Sequence, residues 1–239
     1  MVILLVGSLL LGSSQVLAQE SETTLTYQAN TGNSDIRPLD PLAPDPIKPI
    51  EPTDAVDPSG PAPGTGGTRS IDFASSFQFG KQSITTVSQS YYAQPLSYLT
   101  SDGAAATGPN FVQVSDLSGT GSGWILSVKQ NEQFQTSSNQ PLANAELTFH
   151  KGELVSNLPA EYAPQAMEEV TFRSIGEEQN VVTASKDQGM GTWLYRFGSK
   201  ADDKAVQLDV PGDSVKYAKE YRTSLTWTLK NVPGNEGGQ

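Results

Sequence analysis

The chain has no cysteine and a single histidine, His150. Without cysteine there can be no disulfide bridge, no thiolate nucleophile, no cysteine-zinc site and no lipid-modified N-terminal cysteine. A lone histidine leaves little for acid–base catalysis, since histidine is the side chain that titrates most readily near neutral pH. We therefore expect that the protein is not an enzyme and that it has no cofactor and no metal site.

Basic residues are also scarce, because 15 Lys and Arg stand against 26 Asp and Glu and give the 239-residue chain a formal charge of −11. A surface with this charge repels phosphate backbones on average, so nucleic acid is not an expected partner. The composition, with 22 Gly, 16 Pro and only 17% charged residues, is typical of an extracellular β protein with a disordered part.

Long hydrophobic runs are absent as well. The apolar stretch at residues 1–11 is about half of the roughly 20 residues that a membrane-spanning helix needs. A small-residue cleavage box, Val16-Leu17-Ala18, follows it and predicts a signal peptide over residues 1–18 and hence secretion. Residues 232–239 are polar and glycine-rich, so we expect no anchor there, a flexible tail at 234–239 and no membrane span in the mature chain.

Proline is concentrated in one part of the chain, since nine of the 16 prolines lie within residues 38–63. Closely spaced prolines prevent helix formation and remove ladder donors, and the acidic residues between them add self-repulsion. We predict that residues 19–67 form an acidic, proline-rich, disordered linker rather than a ligand for an SH3-like domain.

After residue 67 the sequence changes to short stretches in which apolar residues alternate, separated by Gly, Asn, Ser and Pro. This alternation is typical of half-buried strands and predicts about nine or ten of them. Because a helical stripe is lacking, we predict one all-β domain over residues 68–233, built as an antiparallel β-sandwich. The predicted strands are marked by Ile71/Phe73, Phe77/Phe79, Val112/Val114, Trp124/Leu126/Val128, Ala145/Leu147/Phe149, Val170/Phe172, Trp193/Tyr195/Phe197, Val206/Leu208/Val210 and Leu225/Trp227/Leu229.

Two Trp-x-Leu tripeptides lie on these strands, Trp124-Ile125-Leu126 in mid-domain and Trp227-Thr228-Leu229 near its end. Together with TRSIDFASSFQFGKQSI, VSDLSGTGSGW and VQLDVPG, they resemble the WxL domain of Gram-positive surface proteins. The resemblance covers residues 68–233 and implies a β-sandwich, secretion, non-covalent attachment to the cell wall through peptidoglycan, and association with other surface proteins in WxL complexes. Many members carry a basic residue two positions after the loop aspartate, where this chain has Ser118.

The motifs allow two interpretations. Residues i and i+2 of a strand share a face, and an alternating apolar stripe is typical of a buried strand face that defines the fold. Tryptophan also stacks on sugars and peptides, so the two motifs could instead meet at one end of the sandwich and form a binding ridge. The binding or fold-defining residues are therefore Trp124, Ile125, Leu126, Trp227, Thr228 and Leu229.

Other polar groups are weaker candidates. His150 is expected on the polar face of its strand as a solvated side chain, and the pairs Glu168-Glu169 and Glu177-Glu178 as solvated loops rather than glycosidase carboxylates. A negatively charged domain cannot rely on bulk attraction to anionic wall polymers. A basic cluster at Lys200, Lys204, Lys216, Lys219 and Arg222 could contact them, although scattered surface lysines that serve solubility are the favoured explanation.

The sequence thus predicts a non-catalytic, secreted surface protein that attaches non-covalently to peptidoglycan. The alternative is a structural subunit of a surface complex, which docks onto a membrane- or wall-anchored partner.

Overall fold

The computed structural model describes residues 25–30, 36–53 and 61–232. The predicted signal peptide and the predicted tail lie outside these ranges. Within them the chain is all-β, and no helix is long and apolar enough to cross a membrane. The elements are β1 (Glu51–Thr53), β2 (Arg69–Ala74), β3 (Gln89–Tyr92), β4 (Leu96–Leu99), β5 (Ala105–Gly108), β6 (Phe111–Asp116), β7 (Trp124–Gln130), β8 (Glu146–Phe149), β9 (Gly152–Val155), a 3-10 turn (Ala160–Tyr162), β10 (Gln165–Ala166), β11 (Val170–Thr171), β12 (Glu178–Ala184), β13 (Gly191–Phe197), β14 (Val206–Val210) and β15 (Leu225–Asn231).

The strands form four small antiparallel sheets. They are the N-terminal sheet (β1-β4-β5), the motif sheet (β10-β12-β7-β15), the Phe149 sheet (β11-β8-β14-β3) and the Arg69 sheet (β2-β6-β13-β9). The motif and Arg69 sheets approach each other along both edges, where β15 contacts β2 and β10 contacts β9. The predicted two-layer β-sandwich is not confirmed, because the strands are divided over four small sheets around the core.

The main core is shared by three of these sheets. The motif sheet contributes Trp124 and Leu126, and the Arg69 sheet contributes Val114 and Tyr195. Phe149 of the third sheet is fully buried among aromatic rings, with centroid distances of 5.0 Å to Phe172, 4.5 Å to Phe197, 5.2 Å to Phe77 and 6.2 Å to Trp227. Phe149 links the three sheets, because its ring contacts Phe197 of the Arg69 sheet and Trp227 of the motif sheet. Large apolar rings of this kind contribute most of the energy of a core.

Part of the segment predicted to be disordered is ordered. Leu39 and Ile50, 4% and 2% exposed, pack with Phe73, Phe111 and Leu194 in a second core on the opposite face of the Arg69 sheet. β1 pairs with β4 at a sheet edge, a position where proline is tolerated. Residues 36–53 are therefore an exception to the linker prediction, since their few apolar side chains are buried. The other domain boundaries remain predictions.

The strand predictions also differ from the structure at several places, since β1, β3, β4, β5, β9, β10 and β12 were not predicted. Phe77 and Phe79 lie outside any strand, although their rings pack on the core. β12 was not predicted because its register shifts between Asn180 and Val182, which places both Val181 and Val182 in the core and breaks the alternation.

Candidate functional site

The two Trp-x-Leu motifs lie on neighbouring strands. β7 and β15 pair antiparallel, with Leu126 opposite Leu229 and Val128 opposite Trp227. The two tripeptides overlap at these leucines, and the apolar side chains of both motifs contribute to the main core. The structure thus brings the motifs together along a sheet.

The first motif is buried. Trp124 is 1% exposed, and its indole N–H donates a hydrogen bond of 3.0 Å to the carbonyl oxygen of Gly189. A Cβ at Gly189, where φ is +74°, would lie 2.6 Å from Trp124 Nε1, so the backbone closes tightly over the ring. Leu126 is likewise fully buried, whereas Ile125 between them is half-buried. Trp124 therefore has no exposed ring face for a wall ligand.

The second motif lies at the margin of the core. Trp227 is only partly buried, and its ring is nearly parallel to that of Phe149, with an interplanar angle of 8°. It belongs to β15, the edge strand of the motif sheet. Leu229 and Thr228 are also partly buried, and the Thr228 carbonyl accepts a hydrogen bond from Ser127. Of the two motif tryptophans, only Trp227 is partly exposed to solvent.

Arg69 connects the sequences that flank both motifs. Its guanidinium forms an ion pair of 2.9 Å with Asp116, whose side chain is fully buried, and donates a hydrogen bond of 2.6 Å to Asn231 at the end of β15. It also donates to the hydroxyls of the glycine loop before the first motif, those of Ser118, Thr120 and Ser122. The opening strand, the loop and the last strand therefore meet at one guanidinium.

Arg69 was not singled out from the sequence. The signal was present, because Asp116 stands at the end of a strand without a nearby base in sequence, and a buried carboxylate needs a cationic or hydrogen-bonding partner. Ser118, two positions after Asp116, accepts a hydrogen bond from Arg69 and donates one to Asp116.

His150 lies at a shallow surface depression. Its Nδ1 is 2.9 Å from a carboxylate oxygen of Glu169, and its side chain is 30% exposed. The depression measures about 610 Å³ and is lined by Tyr92, His150, Lys151, Glu168, Glu169, Asp203, Lys204 and Gln207. Within the described ranges, no group of three or more His, Asp or Glu side chains is placed to hold a metal ion.

Two residues of the predicted basic cluster, Lys216 and Arg222, are engaged locally. The Lys216 ammonium donates to the carbonyl oxygens of Pro211, Gly212 and Ser214, and Arg222 pairs with Glu220. Glu178 is in β12 rather than in the predicted loop. Hydrogen bonds from Lys230 and Ser127 lower the pKa of its carboxyl. Lys216 and Arg222 therefore have separate local partners.

The structure is thus an all-β domain in which two Trp-x-Leu motifs lie on paired strands and Arg69 contacts the segments that flank both. The chain matches the family model described as a WxL domain, surface cell wall-binding, over residues 15–233. Because the match covers nearly the whole sequence, the chain belongs to the WxL family, which confirms the resemblance seen in the two tripeptides. No curated protein and no solved structure matches the chain.

Proposed function

We propose that the protein is secreted and attaches non-covalently to peptidoglycan through its WxL domain. The observation that supports this most strongly is the match to a cell wall-binding surface family over residues 15–233. The proposed role is binding and requires no catalytic group or cofactor.

In this proposal the motif residues have different tasks. Trp124 and Leu126 stabilise the fold, because side chains that are 1% and 0% exposed cannot reach a polymer while the domain is folded. Trp227, Leu229 and Thr228 stabilise the margin of the core, and Trp227 is the motif tryptophan that is partly exposed to solvent. Wall contacts must then be local and specific, since a chain of charge −11 gains nothing from bulk attraction to anionic polymers.

A second candidate function is a structural subunit that docks onto an anchored surface protein. The observation that favours it is the position of β15, which carries the second motif and forms an edge of the motif sheet that β2 contacts without pairing with it. Unpaired ladder groups on an edge strand can accept a strand from another chain. Wall association would then be indirect.

One experiment separates the two functions. The purified mature protein is sedimented with peptidoglycan from which the teichoic polymers have been stripped, beside an unrelated acidic protein of similar size as control. Pelleting with purified wall supports direct attachment. Pelleting that occurs only with envelopes that retain surface proteins supports the docking function.

A further inference from the structure

The His150 depression, defined by the eight lining residues named above, lies at one end of the Phe149 sheet. Three connections border it: the turn after β8, the loop before β11 and the loop before β14. Tyr92 at the end of β3 and Gln207 on β14 form its floor at the sheet, where they are paired in register.

The backbone of this depression is unusual at two lysines. Among the described residues, five non-glycine residues have a positive φ, and three of these are Asn or Asp, which tolerate that conformation. The other two are Lys151 at 53° and Lys204 at 51°, and both line the depression. Glycine would suit each backbone position better, so the presence of lysine points to a use for the side chains.

The charges around the depression are only partly paired. His150 faces Glu169, and the Lys151 ammonium donates a hydrogen bond of 2.9 Å to the Asp203 carbonyl and lies 3.6 Å from its carboxylate. The Lys204 ammonium lies 5.3 Å from the centre of the Tyr92 ring. In the part of the chain that the structure describes, neither Lys204 nor Glu168 forms an ion pair. One cation and one anion thus face solvent beside an aromatic ring.

We propose that the His150 depression binds the peptide stem of peptidoglycan, a short peptide that carries both a free amine and a carboxylate. Lys204 and Lys151 bind the carboxylate, Glu168 binds the amine, and the Tyr92 ring packs on the aliphatic part. This inference rests on the proposed wall attachment and assigns a ligand group to a particular surface.

The test uses the full mature chain and a synthetic stem pentapeptide with a free lysine amine and a free terminal carboxylate, with binding followed by calorimetry. The double variant Lys151→Gly/Lys204→Gly removes both ammonium groups while glycine accepts the positive φ. We expect binding at least about tenfold weaker, with a melting temperature that is unchanged or higher. Asn139→Gly, at φ 58° outside the depression, is the backbone control, and Lys186→Gln is the charge control.

A second arm tests Glu168. The variant Glu168→Gln should weaken binding of the free-amine pentapeptide and leave binding of the amine-acetylated pentapeptide unchanged.

The inference is overturned if the double variant binds the pentapeptide as well as the wild type does. It is also overturned if the wild type pellets with purified wall but does not bind the pentapeptide, an outcome that leaves the proposed wall attachment intact. A wild type that neither pellets nor binds the pentapeptide contradicts both.

Discussion

Leu126 and Leu229 lie directly opposite each other on β7 and β15, so that motifs from the middle and the end of the domain occupy one stretch of ladder. The motif sheet is complete only when β15, the last strand of the chain, has paired with β7. Arg69 reinforces it from the first strand of the domain, through Asn231. We propose that the paired motifs help to close the fold, so that their contribution is measurable as stability.

Trp124→Ala is expected to lower the free energy of unfolding by about 3–5 kcal/mol, because it removes a fully buried ring. For a domain of this size that corresponds to a fall in melting temperature of roughly 6–20 °C. Thermal melts followed by circular dichroism provide the measurement. Trp124→Phe keeps most of the ring and loses the bond to Gly189, so it serves as a milder control. A near-native melt for the alanine variant would contradict a core role.

Arg69→Met is expected to cost about 3–5 kcal/mol, since it leaves the buried Asp116 carboxylate without a counter-charge and with only the hydrogen bonds from Ser118. Adding Asp116→Asn should recover part of that loss, because the uncompensated charge disappears. Urea unfolding of the wild type, both single variants and the double variant gives the coupling energy. Strictly additive losses would show that the ion pair does not act as a unit.

Asp72 predicts a pH dependence. Burial raises the pKa of its carboxyl above the usual 3.8, although Ser70, Ser115 and Gln113 donate hydrogen bonds to it. The folded state therefore holds its proton more tightly than the unfolded chain does, so this group's contribution to stability falls as the pH rises above the usual value. Relative to Asp72→Asn, the wild type should lose stability from about pH 4 upward, measured by chemical denaturation. A relative gain in stability with rising pH would contradict the assignment.

Two isoleucines in residues 36–53 differ in burial and allow the contribution of this segment to stability to be tested. Ile50 is 2% exposed and Ile47 is 83% exposed. Ile50→Ala should lower the free energy of unfolding by about 2–5 kcal/mol, whereas Ile47→Ala should change it by less than about 0.5 kcal/mol. Thermal melts, with limited proteolysis to detect release of the segment, distinguish the variants. Equal melts for both would mean that residues 36–53 add nothing to the fold.

The sequence predicted the strands that alternate cleanly, including β7 with Trp124 and β15 with Trp227, because a period of two is visible locally. It missed β12, where a register shift places Val181 and Val182 side by side in the core. It also treated residues 36–53 as disordered, since proline content hid the burial of Leu39 and Ile50. Whether a strand joins two large sheets or four small ones depends on long-range pairing, which no local pattern records.

The candidate site was also predicted only in part. Two tripeptides with flanking sequences were enough to identify the family, but the Arg69 contacts and the charges around His150 depend on loops that meet only in the folded chain. The backbone angles of Lys151 and Lys204 have no local sequence signal, because lysine is not a residue that favours positive φ.

Direct attachment to peptidoglycan is decided by sedimentation of the folded mature protein with teichoic-stripped wall. We expect the wild type to move to the pellet in proportion to the amount of wall, and a properly folded Trp124→Phe variant to do the same. A wild type with an intact thermal melt that stays in the supernatant at every wall concentration would contradict it.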